Sequence, residues 1–141
     1  MSLTLNMVGG IDGSTVVGEA WHTDYGTTYT NVASSGSSSQ YSYAYADYFT
    51  FSNGVFTAVQ AGTYKIYYFG RGGYNNAGSA INMYYRIYAA GSNVASATDV
   101  GNGGVRSSVT VTLSVGDTIY AQTRNSSGNN THDFGYVITK T

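Results

Sequence analysis

From residue 41 onward, large apolar residues alternate with smaller or polar ones at a period of two, the pattern of strands whose side chains point to opposite faces. Tyr41, Tyr43 and Tyr45 stand against Ser42, Ala44 and Ala46, followed by an apolar run from Tyr48 to Phe51. Asn53-Gly54 predicts a tight turn into a short strand from Val55 to Val59. From Thr63 to Arg71, Tyr64, Ile66 and Tyr68 alternate with Lys65, Tyr67 and Phe69, so both faces of that strand are aromatic. A strand with one face in water has no use for this. It lies between two packed layers, or its second face meets another subunit.

A Gly- and Asn-rich loop over residues 72–79 leads into a strand from Ile81 to Ala89, with Met83, Tyr85 and Ile87 opposite Tyr84, Arg86 and Tyr88. Ala90-Gly91-Ser92-Asn93 turns the chain into a strand from Val94 to Val100, and Gly101-Asn102-Gly103-Gly104 turns it again. The cleanest alternation follows, with Val109, Val111, Leu113 and Val115 expected inside and Ser108, Thr110, Thr112 and Ser114 outside. Gly116-Asp117 is a turn, Asp117 being read as capping its own backbone. Ile119, Ala121 and Thr123 form the next strand, a polar loop spans 125–133, and Phe134, Tyr136 and Ile138 the last. Eight or more short strands in one domain predict an all-β, two-sheet antiparallel sandwich, most economically a jelly roll.

The first forty residues are the least patterned. Thr15-Val16-Val17 and Trp21 suit an opening strand, and Ser34-Ser35-Gly36-Ser37-Ser38-Ser39 a surface loop. The expected division is an N-terminal anchoring segment over 1–40 and a jelly roll over 41–141, one domain in all. No repeat at a solenoid or propeller period is present.

Composition narrows the function. In 141 residues there are 6 Lys and Arg, 7 Asp and Glu, and a net charge of -1. Such a chain cannot build the basic stripe that neutralises phosphates, so neither nucleic acid nor an anionic membrane is an expected partner. Solubility rests on Ser, Thr, Asn and Gly, which suits a protein that lives inside an assembly. With no Cys, disulfide and thiolate chemistry are excluded. The first residues lack a cationic stretch followed by an apolar run, and no segment has 18 consecutive apolar residues, so synthesis in the cytoplasm without membrane insertion is expected.

Five segments resemble the complement globular-head family, whose trimeric jelly roll is shared with tumour necrosis factor. They are Asn53-Gly54-Val55-Phe56-Thr57-Ala58, Gly62-Thr63-Tyr64-Lys65-Ile66, the turn Ala90-Gly91-Ser92-Asn93, Leu113-Ser114-Val115-Gly116-Asp117-Thr118-Ile119-Tyr120, and Phe134-Gly135-Tyr136-Val137-Ile138. The resemblance covers residues 41–141. It departs from the family at Val59, where a Pro is usual, and in its poverty of charge. It implies the fold and a homotrimer rather than a complement or cytokine role. Bacteriophages use such domains as capsid decorations and fibre tips. The expectation is therefore a non-enzymatic virion-surface protein decorating a capsid, since the forty remaining residues hold no coiled-coil or collagen stalk. The alternative is a receptor- or carbohydrate-binding tip of a tail fibre.

Specific residues follow. Tyr67, Phe69, Tyr84 and Tyr88, opposite the faces assigned to the core, are the candidates for trimer packing. Trp21, Tyr25, Tyr29 and Tyr74, with Asn75 and Asn76, are placed in loops, where they would contact a virion protein or a host surface glycan. His22 and His132 are the only histidines, with Asp24 and Asp133 close in sequence. A catalytic or metal site there would need the two ends of the chain to converge. The other acids, Asp12, Glu19, Asp47, Asp99 and Asp117, form no dense calcium loop, and no nucleophile elbow, P-loop or dinucleotide fingerprint is present. No catalytic residue, cofactor or metal is expected.

Overall fold

The computed structural model describes residues 15–24, 26–35, 37, 39–74, 80–100, 104–126 and 131–141, with the backbone alone at 73, 74, 80, 81, 99 and 100. Among them are twelve strands and no helix: β1 (Thr15–Asp24), β2 (Thr30–Asn31), β3 (Ser39–Ala44), β4 (Phe49–Ser52), β5 (Val55–Ala58), β6 (Gly62–Arg71), β7 (Gly73–Tyr74), β8 (Ala80–Ala89), β9 (Ser92–Val100), β10 (Val105–Leu113), β11 (Thr118–Asn125) and β12 (His132–Lys140). A five-stranded sheet runs β10-β6-β12-β1-β3. The facing sheet runs β4-β5-β11-β8-β7, with β2 on β11 and β9 on β8. Each described pairing is antiparallel. Most neighbours in a sheet are distant in sequence, as in a jelly roll.

The turns sit where the sequence puts them. Asn53 and Gly54 have φ of 45° and 89°, as do Ala90 and Gly91 at 52° and 80°. Two successive positive φ values match the right-handed twist of flanking strands, so each pair closes a two-residue hairpin. At Gly54 space also forbids a side chain, because a Cβ would lie 2.6 Å from Cβ of Asn31. Asp117 accepts a hydrogen bond at Oδ2 from the Ser114 amide, 2.8 Å, and holds the β10–β11 turn.

Alternation then decides what is inside. Tyr64, Ile66 and Tyr68 of β6 meet Met83, Tyr85 and Ile87 of β8, Ile119 and Ala121 of β11, and Phe134, Tyr136 and Ile138 of β12 in one buried cluster. Rings dominate it. Phe56 packs on Phe49 at 5.9 Å and on Tyr136 at 5.8 Å, and Phe134 stacks on Tyr85 at 5.2 Å. Each such side chain contributes about 1.5–3 kcal/mol by leaving water, more where edge-to-face contacts add to area.

Two expectations need correction. Val115 is 67% exposed, because β10 has ended at Leu113 and the turn carries Val115 out. More important, the jelly roll does not begin at residue 41: the opening strand expected around Thr15-Val16-Val17 and Trp21 is present as β1 and belongs to the sandwich. β1 lies between β12 and β3, with Val17 and Ala20 fully buried in the common core. A register shift between Val16 and Gly18 marks a bulge. Val17 joins the core there, while the Phe56 ring and the Ile138 methyl stand where a Gly18 side chain would be. Residues 1–14, the rest of the expected anchor, lie outside the described residues.

Candidate functional site

The side of the five-stranded sheet that faces away from the core is built in straight rows by the strand registers. One row is Tyr41, Trp21, Gly135, Phe69 and Arg106, across β3, β1, β12, β6 and β10. The next is Tyr43, Glu19, Val137, Tyr67 and Ser108. Five rings thus share one sheet face. Glu19 and Val137 are fully buried although they point away from the core, so the rings around them close over the middle of the face. Gly135 makes the first row possible. A Cβ there would stand 2.7 Å from Cβ of Trp21 and 2.8 Å from Cζ of Phe69, so only glycine lets those two residues approach.

Glu19 is held among phenols. Desolvation, followed by the nearby Glu19 carboxylate, raises the Tyr41 pKa above its ordinary value. At one end of the face, Arg71 and Asp133 form an exposed ion pair at 3.8 Å. Beside it, Phe69, Gly70, Gly104, Val105 and Arg106 help line an open cleft of about 420 Å³.

The opposite outer face, on the seven-stranded sheet, is aromatic in a different way. Tyr88 pairs across the ladder with Tyr120 and stacks on it, centroids 5.0 Å apart and planes 16° apart. In the next row Arg86 donates from Nε to Oε1 of Gln122, 2.7 Å, and lies 3.7 Å from the ring centroid of Tyr29. In the third, Arg124 sits 4.0 Å over Tyr84. Every large group in these rows has an intramolecular partner.

This redistributes the residues picked out from the sequence. Tyr67 and Phe69 lie on the face of the five-stranded sheet, whereas Tyr84 and Tyr88 lie on the far side of the sandwich, zipped to Arg124 and Tyr120. The four therefore do not form one patch. Trp21 is not in a loop: it is in β1, beside Phe69. Tyr29 is half-buried against Arg86 and Arg124. Tyr74 is in β7, its side chain outside the described residues, as are Tyr25, Asn75 and Asn76 entirely. Tyr41, Tyr43 and Glu19, not singled out as site residues, complete the face. Period-two alternation from Tyr67 would find them only if the partner strands were known.

A second feature lies inside. His22 and Asp24 alternate inward on β1, and Asp24 faces His132 directly across the β1–β12 ladder. The two ends of the chain do converge. His22, Asp24 and His132 are all buried, and one donor atom from each lies within 4.8 Å of the others. Nε2 of His22 and Nε2 of His132 are each 2.7 Å from Oγ1 of Thr123, on β11 of the other sheet. Nδ1 of His22 is 2.7 Å from Oγ of Ser37, and the Thr30 hydroxyl donates to Oδ2 of Asp24 at 2.8 Å. Burial pushes both histidines down to about 4; the neighbouring His132 lowers His22 further, and Asp24 opposes the shift in both. Both rings are therefore neutral at pH 7.

No family model and no curated protein matches the sequence. Solved structures do match the fold. PRD1 vertex protein P5 is 15% identical, at a TM-score of 0.59, over 92% of this chain and 99% of its own. The globular domain of zebrafish complement 1qA protein is 12% identical, at 0.53, over 86% and 95%. Rabbit GITRL is 12% identical, at 0.52, over 89% and 94%. The chain therefore has the jelly-roll fold of complement globular heads and tumour-necrosis-factor-like proteins, as the five sequence segments led one to expect.

Proposed function

We propose that the chain is a non-enzymatic structural protein of a bacteriophage virion, a homotrimer that decorates the capsid, with the ringed face of the five-stranded sheet turned to the three-fold axis. The observation that carries this reading is the ringed face itself. Trp21, Tyr41, Tyr43, Tyr67 and Phe69 share one side of the five-stranded sheet, and each keeps part of its surface in water. Their further burial would come from another copy. Tyrosine and tryptophan lose little side-chain entropy on ordering and keep a polar edge for hydrogen bonds across the seam.

The likeness to a vertex protein supports a structural place in a phage particle. The low charge agrees with it, because copies crowded side by side on a particle do not then repel one another. Light scattering should return about 45 kDa, three times the chain mass of 14.9 kDa. Antibody labelling of purified particles in the electron microscope should mark the shell. A monomer would overturn the proposed assembly. Label confined to tail tips would overturn decoration in favour of receptor binding.

A further inference from the structure

The interior of the sandwich is largely apolar, but at one end two imidazoles, a carboxyl and a hydroxyl meet. Three strands produce this. Positions i and i+2 of β1 put His22 and Asp24 on the same inward face, cross-strand pairing sets His132 beside Asp24, and β11 brings Thr123 from the facing sheet. The four are at most 4% exposed. Buried polar groups of this kind are normally fully hydrogen-bonded. Here Nδ1 of His132 is buried and has no partner among the described residues.

We propose that His22, Asp24 and His132 form an interior site for one divalent transition-metal ion of the zinc class, with the Thr123 hydroxyl or a water at the fourth position. Three donors no farther than 4.8 Å apart all lie within about 2.8 Å of a common point. Zinc–nitrogen and zinc–oxygen bonds are about 2.0–2.2 Å, so each donor has to close by less than about 1 Å. That is within reach of small side-chain rotations.

The donor set selects the metal. Two imidazole nitrogens with one carboxylate oxygen suit zinc and its neighbours, whereas calcium and magnesium take oxygen ligands. Outer contacts are in place as well: Ser37 holds the second nitrogen of His22, and Thr30 orients Asp24. Because the site is sealed from solvent, the ion would act as a staple. It would tie β1 to β12 and, through Thr123, one sheet to the other, stabilising the folded chain in proportion to how far its concentration exceeds the dissociation constant.

The test uses the full chain without an affinity tag, stripped by a chelator and titrated first with Co²⁺ and then with Zn²⁺. The expected result is the intense visible spectrum of four-coordinate cobalt at one ion per chain, bleached by zinc, with zinc raising the melting temperature by about 5 °C or more. His132→Gln and Asp24→Asn should each abolish both effects. If these variants do not fold, the unmodified chain still decides the matter. It holds two histidines and no cysteine, so shifts in the imidazole proton resonances report whether those rings are the ligands. Only the weak octahedral cobalt spectrum with an unchanged melting temperature would overturn the proposal, as would stoichiometric binding that leaves the imidazole resonances in place. Neither outcome bears on the trimer.

Discussion

His22 and His132 share one hydroxyl: Oγ1 of Thr123 lies 2.7 Å from Nε2 of each, and the two ring centroids are 5.7 Å apart. A threonine hydroxyl has a single proton, so it can donate to one ring at most. At least one of the two histidines therefore carries its own proton on Nε2 and donates to the threonine. Strands from both sheets are joined at this point through that one hydroxyl.

Thr123→Val keeps the shape and removes the shared oxygen, leaving two buried ring nitrogens without a partner. A loss of about 1–3 kcal/mol is expected in urea unfolding of metal-free protein. Thr123→Ser keeps the hydroxyl and should recover most of that loss. If valine were as stable as the native residue, the network would carry no weight.

Gly135→Val places a branched side chain where Trp21 and Phe69 already stand within 3 Å of the would-be Cβ. The row must spread, and stability should fall by about 1–3 kcal/mol or more. Light scattering at matched temperature should show weakened association as well, because the rings that carry the proposed contact are the ones displaced.

Tyr67→Asp tests the assembly directly. It puts a carboxylate at the centre of the ringed face, in the row that already holds Glu19. A monomer with a native circular dichroism spectrum is the expected product, since an unpaired charge in an apolar contact is strongly unfavourable. Tyr84→Asp, on the far face, should leave the mass of the assembly unchanged.

Tyr136 offers a pH test. Its hydroxyl is buried with no partner among the described residues, and burial pushes its ionisation far above the ordinary tyrosine value. The folded state thus holds the proton more tightly than the unfolded one. Its stabilising share is intact below about pH 10 and is lost as pH rises past the value for an unfolded tyrosine. Tyr136→Phe removes that dependence and the unpaired oxygen together, so thermal melts should show a protein about 1 kcal/mol more stable at pH 7 and less sensitive to alkali.

Much of the fold was legible in local pattern. Alternation through Tyr64, Ile66 and Tyr68, through Met83, Tyr85 and Ile87, and through Phe134, Tyr136 and Ile138 named core residues correctly, because side-chain direction in a strand is a property of two adjacent peptides. Asn53-Gly54 named its turn for the same local reason. Val115 was misplaced because alternation cannot tell where pairing stops. Trp21, read both as part of an opening strand and as a loop contact, belongs to the strand; one ring there gives no periodic signal, and the partners that make β1 a central strand lie in β12 and β3.

The amino-acid order by itself determined which residues could be strand and which face of each strand was large, since both depend on spacing along the backbone. It also set how few charges the surface can carry. Only the tertiary structure decided which strands lie side by side. That choice put Trp21 against Phe69, separated Tyr67 from Tyr84 by the whole sandwich, and carried His22 and His132 from opposite ends of the chain to one hydroxyl. Register between distant strands comes from the simultaneous packing of two sheets around one core, and no window of adjacent residues contains it.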